Sequence, residues 1–214
     1  ESEAKPSALR DQLRGIARIF SDPLFWRIAP LVATTSGGHI GIHTLWAGPW
    51  FRDIAGLGRD GVAWHLLAIA LAFLVGTLLG GVVADRLARR GITQLQVMTA
   101  GLGLFVVAQV AIIAELVSIN AYIWMLFGMT GQLGMLAYPT LARHFGTALS
   151  GRAQTAMNLL LFSTAFAAQS MIGAIIDLFP HTADSYSSDG YRTAFAVLLV
   201  TQLAAFAWYY FPRP

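Results

Sequence analysis

The sequence contains no cysteine, which excludes disulfide bridges and thiolate metal sites and leaves the redox compartment unread. Charge is nearly as scarce. Asp, Glu, Lys and Arg make up 12% of the 214 residues, against roughly a quarter in soluble domains, while hydrophobic residues reach 56%. Mean hydropathy is +0.61, so lipid is the natural solvent for this surface. The chain lacks a phosphate-binding loop, an Asn-Pro-Ala pore signature and a regular arginine ladder. It opens without the basic–apolar–small pattern of a cleavable signal peptide, so the spans themselves are expected to direct insertion. An isoelectric point of 9.6 would by itself fit a nucleic-acid binder. The bases sit between apolar runs rather than on a soluble face, however, and an anionic membrane surface explains them better than nucleic acid.

What is present is a series of apolar segments, each near the ~20 residues that cross a bilayer. Six are placed at about 25–48, 64–84, 93–115, 119–142, 153–176 and 192–211. Ahead of them, residues 1–22 read as a cytoplasmic amphipathic linker helix. Leu9, Leu13, Ile16 and Phe20 form one stripe, and Arg10, Arg14 and Arg18 another. Such a helix lies in the headgroup region or is a solvated linker. Asp22–Pro23 has the form of a cap followed by proline at the first helical position. The transmembrane domain is therefore expected to span 23–214.

Charge counting tests the division. Lys5, Arg10, Arg14, Arg18, Arg27, Arg86, Arg89, Arg90, Arg143, Arg152 and Arg213, 11 of the chain's 14 bases, fall on one side of a six-span layout. Arg52, Arg59 and Arg192 fall on the other. Bases are retained on the cytoplasmic side, so both termini are expected there, in a plasma (bacterial inner) membrane.

Polar groups inside spans are costly and mark function. In the first span Thr35, His39, His43, Trp46, Trp50 and Asp53 share one face within an arc of about 80°. Gly37, Gly38 and Gly41 allow a break or close helix approach there, and Pro30 and Pro49 mark kinks. A second stripe in the fifth span includes Gln154, Asn158, Phe162, Gln169 and Gly173. A third, in the fourth span, is Trp124, Gly128, Gln132 and Met135. His39 and His43 lie four residues apart, but no acid lies between them and no third ligand is in sight, so no metal is expected. An interior imidazole, a substrate contact and a proton relay remain open. Ser150–Gly151 with His144 has the residue types of a membrane serine protease. The pair sits at a basic edge rather than in a pocket, so no enzyme and no cofactor is expected.

The turn Gly81-Val82-Val83-Ala84-Asp85-Arg86-Leu87-Ala88-Arg89-Arg90 reads two ways. It is a topology-setting basic turn, or Asp85 is a latch that pairs with Arg89 or with the Gly151–Arg152 turn and holds neighbouring helices in one state. Its spacing, Gly-x-x-x-Asp-Arg-x-x-Arg-Arg, resembles the loop signature of the major facilitator superfamily of transporters, with Ala88 where that family usually has Gly. Gly151-Arg152-Ala153-Gln154-Thr155-Ala156-Met157-Asn158, with Gly173-Ala174-Ile175-Ile176-Asp177, resembles the eleventh span of that family. Leu45-Trp46-Ala47-Gly48-Pro49-Trp50-Phe51-Arg52-Asp53 resembles the end of its seventh. The resemblance covers the C-terminal six-span half.

The resemblance implies an all-α integral membrane fold of six transmembrane helices arranged as two inverted three-helix repeats. It implies a gating loop at Gly81, Asp85, Arg86, Arg89 and Arg90, and a central cavity lined by the first and fourth spans. Thr35, His39, His43, Trp46, Trp50, Gln132, Asn158 and Gln169 are the expected cavity residues. The expected function is half of a secondary active transporter that moves a small molecule by alternating access, with proton coupling through His39 or His43. Its partners would be the lipid bilayer, a small-molecule substrate, and either a missing N-terminal half or a parallel homodimer partner. The competing class is a non-transporting six-helix scaffold or receptor domain. The absence of a midplane Lys or Arg favours a neutral or cationic substrate.

Overall fold

A computed structural model of the chain describes residues 9–182 and 185–211. Lys5 and Arg213 of the charge count, and the start of the expected linker helix, lie outside the described residues. Among those described, every regular element is helical: α1 Leu9–Phe20, α2 Pro23–Gly41, α3 Ala47–Asp53, α4 Arg59–Ala88, α5 Gln94–Ile113, α6 Asn120–Thr130, α7 Tyr138–Ile176 and α8 Ser188–Tyr210. Four helical stretches, 59–88, 94–113, 117–176 and 188–210, are long and apolar enough to cross a membrane.

The caps follow from the sequence. Asp22 Oδ1 accepts from the backbone N–H of Leu24 at 2.8 Å and of Phe25 at 3.0 Å, and Pro23 occupies the first turn where its missing N–H costs nothing. Thr93 and Gln96 form a reciprocal capping box on α5, which binds two otherwise orphaned donors. Gly91, at φ +82°, lies in the turn that ends α4.

Two spans depart from straight helices, each for a local reason. Between α2 and α3, residues Ile42–Trp46 form a π-helical turn. Pro49 has no N–H for the carbonyl of Leu45 and its ring crowds that carbonyl, so the ladder takes a wider turn ahead of it. Between α6 and α7 the chain passes Gly131 and Gln132 and runs as a 3₁₀ turn over Leu133–Ala137. Pro139 sits in the first turn of α7 and has no N–H for the carbonyl of Met135, so a regular α ladder cannot run through this stretch. Within α7, Gly146 adopts φ +67° and ψ 175°, a conformation essentially confined to glycine, and the helix kinks there. The fourth and fifth expected spans are thus joined by a kink rather than an open loop.

Contacts at the two ends of the molecule fix the path. At one end His144 Nε2 lies 2.8 Å from Asp22, Arg143 donates to Gln94 at 3.2 Å, and Arg27 donates to the Tyr209 carbonyl at 3.1 Å. At the other end Asp53 accepts from the Tyr191 hydroxyl at 2.9 Å and from the Tyr186 backbone at 3.2 Å. Glu115 accepts there from Ser188, and from Arg192 at 3.1 Å. Residues 23–53, 59–88, 94–113, 117–143, 147–176 and 188–210 therefore make six helical passes between these ends.

The core falls into two apolar clusters, one around Trp50, Trp124, Phe127 and Phe195 and the other around Phe25, Ile28, Met98 and Met157. On α2, which packs most extensively against α7 and α8, the residues between them are polar and buried: Thr35, Ser36 and His39. Outside, α4 exposes Leu67, Leu71, Leu74, Leu78 and Val82, as a lipid-facing helix would. Among the described side chains of α1, residues 12–20, Gly15 and Ile19 are buried, while Leu13 and Ile16 of the expected apolar stripe are exposed. The Arg152 side chain lies across Gly15, where a Cβ would stand 2.2 Å from its Nη1, so α1 docks through its smallest residue.

Candidate functional site

A cleft of about 530 Å³ opens on the side of the bundle, where passes one, two, four and five meet. Its polar groups are Gln132, Tyr138 and Asn158, set among Phe73, Met135 and Phe162. The Tyr138 hydroxyl donates to Asn158 Oδ1. Gln132 sits at the break between α6 and α7, where a helix would otherwise have bound its neighbouring backbone groups. The Ser36 hydroxyl donates to the freed Gly131 carbonyl at 3.1 Å and so ties the break to α2.

Behind Gln132 lies His39. Gln132 Nε2 and His39 Nδ1 are 3.5 Å apart, at the limit of a hydrogen bond. The His39 ring is 1% exposed and lies among Phe73, Phe105 and Phe127, at centroid distances of 6.1, 6.1 and 5.0 Å. Its Nε2 has no hydrogen-bond partner among the described residues. Gly131 is what admits the ring, because a Cβ there would stand 2.3 Å from His39 Cδ2. His43 stacks on His39 with centroids 5.5 Å apart and is half-buried. No group of three or more His, Cys, Asp or Glu able to hold a metal occurs among the described residues.

The other expected cavity residues are dispersed. Thr35 is buried and donates to the Leu31 carbonyl at 2.6 Å within its own helix. Trp46 donates to the Gln169 carbonyl at 3.2 Å, and Gln169 donates to the Thr44 hydroxyl at 2.9 Å, which ties passes one and five together. Trp50 is buried in the apolar core against Trp124 and Phe51, with centroids 5.3 and 5.5 Å away, and does not line the cleft. Around the π turn the expected face divides: Trp50 stays against α6, following His39 along Phe127 and Trp124, while Trp46 and Asp53 turn to Tyr191 of α8. Asp53 has a side chain 1% exposed and is held by Arg52 at 2.6 Å and by Tyr191.

Of the expected residues, Gln132 and Asn158 line the cleft and His39 lies directly behind it. Tyr138 and Phe73 complete the lining without belonging to any of the three polar stripes, and Met135 belongs to the third. Tyr138 falls near the end of the expected span 119–142, and the break at 131–137 precedes it.

In the basic turn Gly81 is half-buried, and Asp85, Arg86, Arg89 and Arg90 are exposed. Asp85 makes no hydrogen bond or ion pair among the described residues, and Arg152 is engaged over Gly15 instead. No protein-family model matches the chain and no curated protein matches it, so its function is read from this geometry.

Proposed function

We propose that the chain is the six-span half of a secondary transporter of the major facilitator type, built as two inverted three-helix repeats with both termini in the cytoplasm. One observation carries the reading. The first pass of each set of three, pass one and pass four, is interrupted, by the π turn at 42–46 and by the 3₁₀ turn at 133–137. Paired interruptions at corresponding positions of two repeats are where transporters of this architecture place their binding sites. Here the interruption in pass four presents Gln132 to the cleft, and the one in pass one follows directly on the His39 segment.

In this reading Gln132, Asn158 and Tyr138 hydrogen-bond a neutral or cationic small molecule, and the cleft is completed by a second six-span unit. The exposed aromatic side chains beside the cleft, Phe162 at 60% and Phe166 at 72%, face that unit. The unit is an N-terminal half or a second copy related by an axis along the membrane normal. Asp85 and the arginines of the basic turn gate the cytoplasmic end.

The test begins with the mass of the purified chain in lipid nanodiscs: a dimer makes a second copy the completing unit, and a monomer makes it an N-terminal half. Proteoliposomes of that dimer should then take up at least one member of a neutral and cationic solute panel saturably. Asn158→Ala and Gln132→Ala should reduce uptake at least about tenfold, by leaving the substrate's polar groups unpaired. A verified dimer with no saturable uptake would return the chain to the scaffold class.

A further inference from the structure

A second concavity lies on the opposite side of pass four from the cleft. This groove of about 490 Å³ runs between α4 and α5, walled by Leu79, Val83, Val97, Ala100 and Leu104. Its floor is Leu133, drawn in by two glycines: a Cβ on Gly80 would stand 2.5 Å from Leu133 Cδ2, and one on Gly101 2.2 Å from Cδ1. At the basic end the groove runs into another concavity, lined by Arg86, Arg89 and Arg90, and Val83 and Leu87 line both. No carboxylate among the described residues lies within ion-pair distance of these three arginines. From Gly76 to Leu87 the groove follows α4 for about 16 Å, close to the depth of one leaflet of a ~30 Å hydrocarbon core.

We propose that this groove is a binding site for an anionic glycerophospholipid, with one acyl chain along the α4–α5 slot and the phosphate on Arg86, Arg89 and Arg90. An apolar slot one leaflet deep that ends on three unpaired guanidinium groups is complementary to that amphiphile at both ends. The guanidinium fork matches the geometry of phosphate oxygens. A lipid annulus alone would fill the slot without choosing a headgroup. The inference rests on the chain lying in a bilayer and holds whether or not the chain transports anything.

The test uses the full chain, delipidated in mild detergent and incubated with phosphatidylglycerol or phosphatidylcholine of matched acyl chains. Retained lipid is read by native mass spectrometry. Phosphatidylglycerol should be retained at least about tenfold better, since each arginine at a membrane surface is worth about fivefold. Arg86→Gln/Arg89→Gln/Arg90→Gln should abolish the preference, and Arg14→Gln/Arg18→Gln on α1 should keep it. Ala100→Phe and Leu104→Trp, both at exposed positions that tolerate bulk, should each fill the slot and lower retention. Equal retention of the two lipids would overturn the proposal. So would an equal loss of preference in the α1 variant, or unchanged phosphatidylglycerol retention in both slot-filling variants.

Discussion

Asp22 shows how much one side chain does at the start of the bundle. Its Oδ1 caps α2 and its Oδ2 meets His144 at 2.8 Å across from α7. Burial pushes its pKa up, but the hydrogen bonds from His144 and the backbone of Phe25 and Leu24 outweigh this and hold it below the ordinary 3.8. A carboxylate depressed in the folded state contributes stability above its unfolded pKa and loses it as pH falls through the lower folded value. Thermal stability in detergent should therefore drop as pH falls below 3.8, and more steeply than in Asp22→Asn, which keeps a cap acceptor but cannot titrate. Asp22→Ala loses the cap as well and should cost about 1 kcal/mol more than Asp22→Asn. At the site, Gly131→Ala would put a methyl group 2.3 Å from His39 Cδ2. The ring is enclosed by phenylalanines and has little room to yield, so we expect a loss of about 1–3 kcal/mol in thermal unfolding. An unchanged midpoint would mean that His39 moves freely.

At the scale of elements, the two ends of the bundle are held differently. The end carrying Asp53 binds the start of α8 through Tyr191, which is 1% exposed. Asp53→Ala would leave that hydroxyl buried without its acceptor and cost about 1–3 kcal/mol. Amide hydrogen exchange should rise first at 186–191 rather than across α8 as a whole, and uniform exchange would show the carboxylate to be dispensable. In α7, Gly146 stands in a backbone region that a Cβ excludes, so Gly146→Ala should cost about 1–3 kcal/mol by strain alone, since a Cβ there meets nothing within 4 Å. The elements were largely legible in the sequence. Asp22–Pro23 and the Gly91 stop are local signals, and the caps depend on residues within a turn of one another. The π turn was half legible: Pro49 announced a kink, but a kink and an inserted residue look alike in sequence. Trp46 and Asp53 accordingly turn to α8, while Trp50 stays against Trp124 of α6.

For the whole molecule, the sidedness of the passes is the property most directly measurable. The chain has no cysteine, so single cysteines report position without background. Ala88→Cys and Thr147→Cys lie at the end held by Asp22 and His144, and Gly58→Cys and Ser118→Cys at the end held by Asp53 and Glu115. An impermeant thiol reagent applied to right-side-out vesicles should label the second pair and spare the first. Labelling of one member from each pair would break the six-pass arrangement. The bias of bases toward the first end predicts which side it faces.

The sequence alone determined the all-helical class, the apolar runs long enough to cross a membrane and the caps at Asp22 and Thr93, because these depend on composition, on run length and on residues adjacent in the chain. It also marked Gln132, Asn158 and His39 as polar groups out of place in apolar helices. Only the tertiary structure decided which of the polar residues meet. The cleft joins Gln132 to Tyr138 and Asn158 across a helix break, His39 is sealed behind them by the gap at Gly131, and Trp50 turns into the core. Those outcomes depend on the helix break at 131–137 and on which glycine faces which ring, and both are tied to packing between passes distant in the chain.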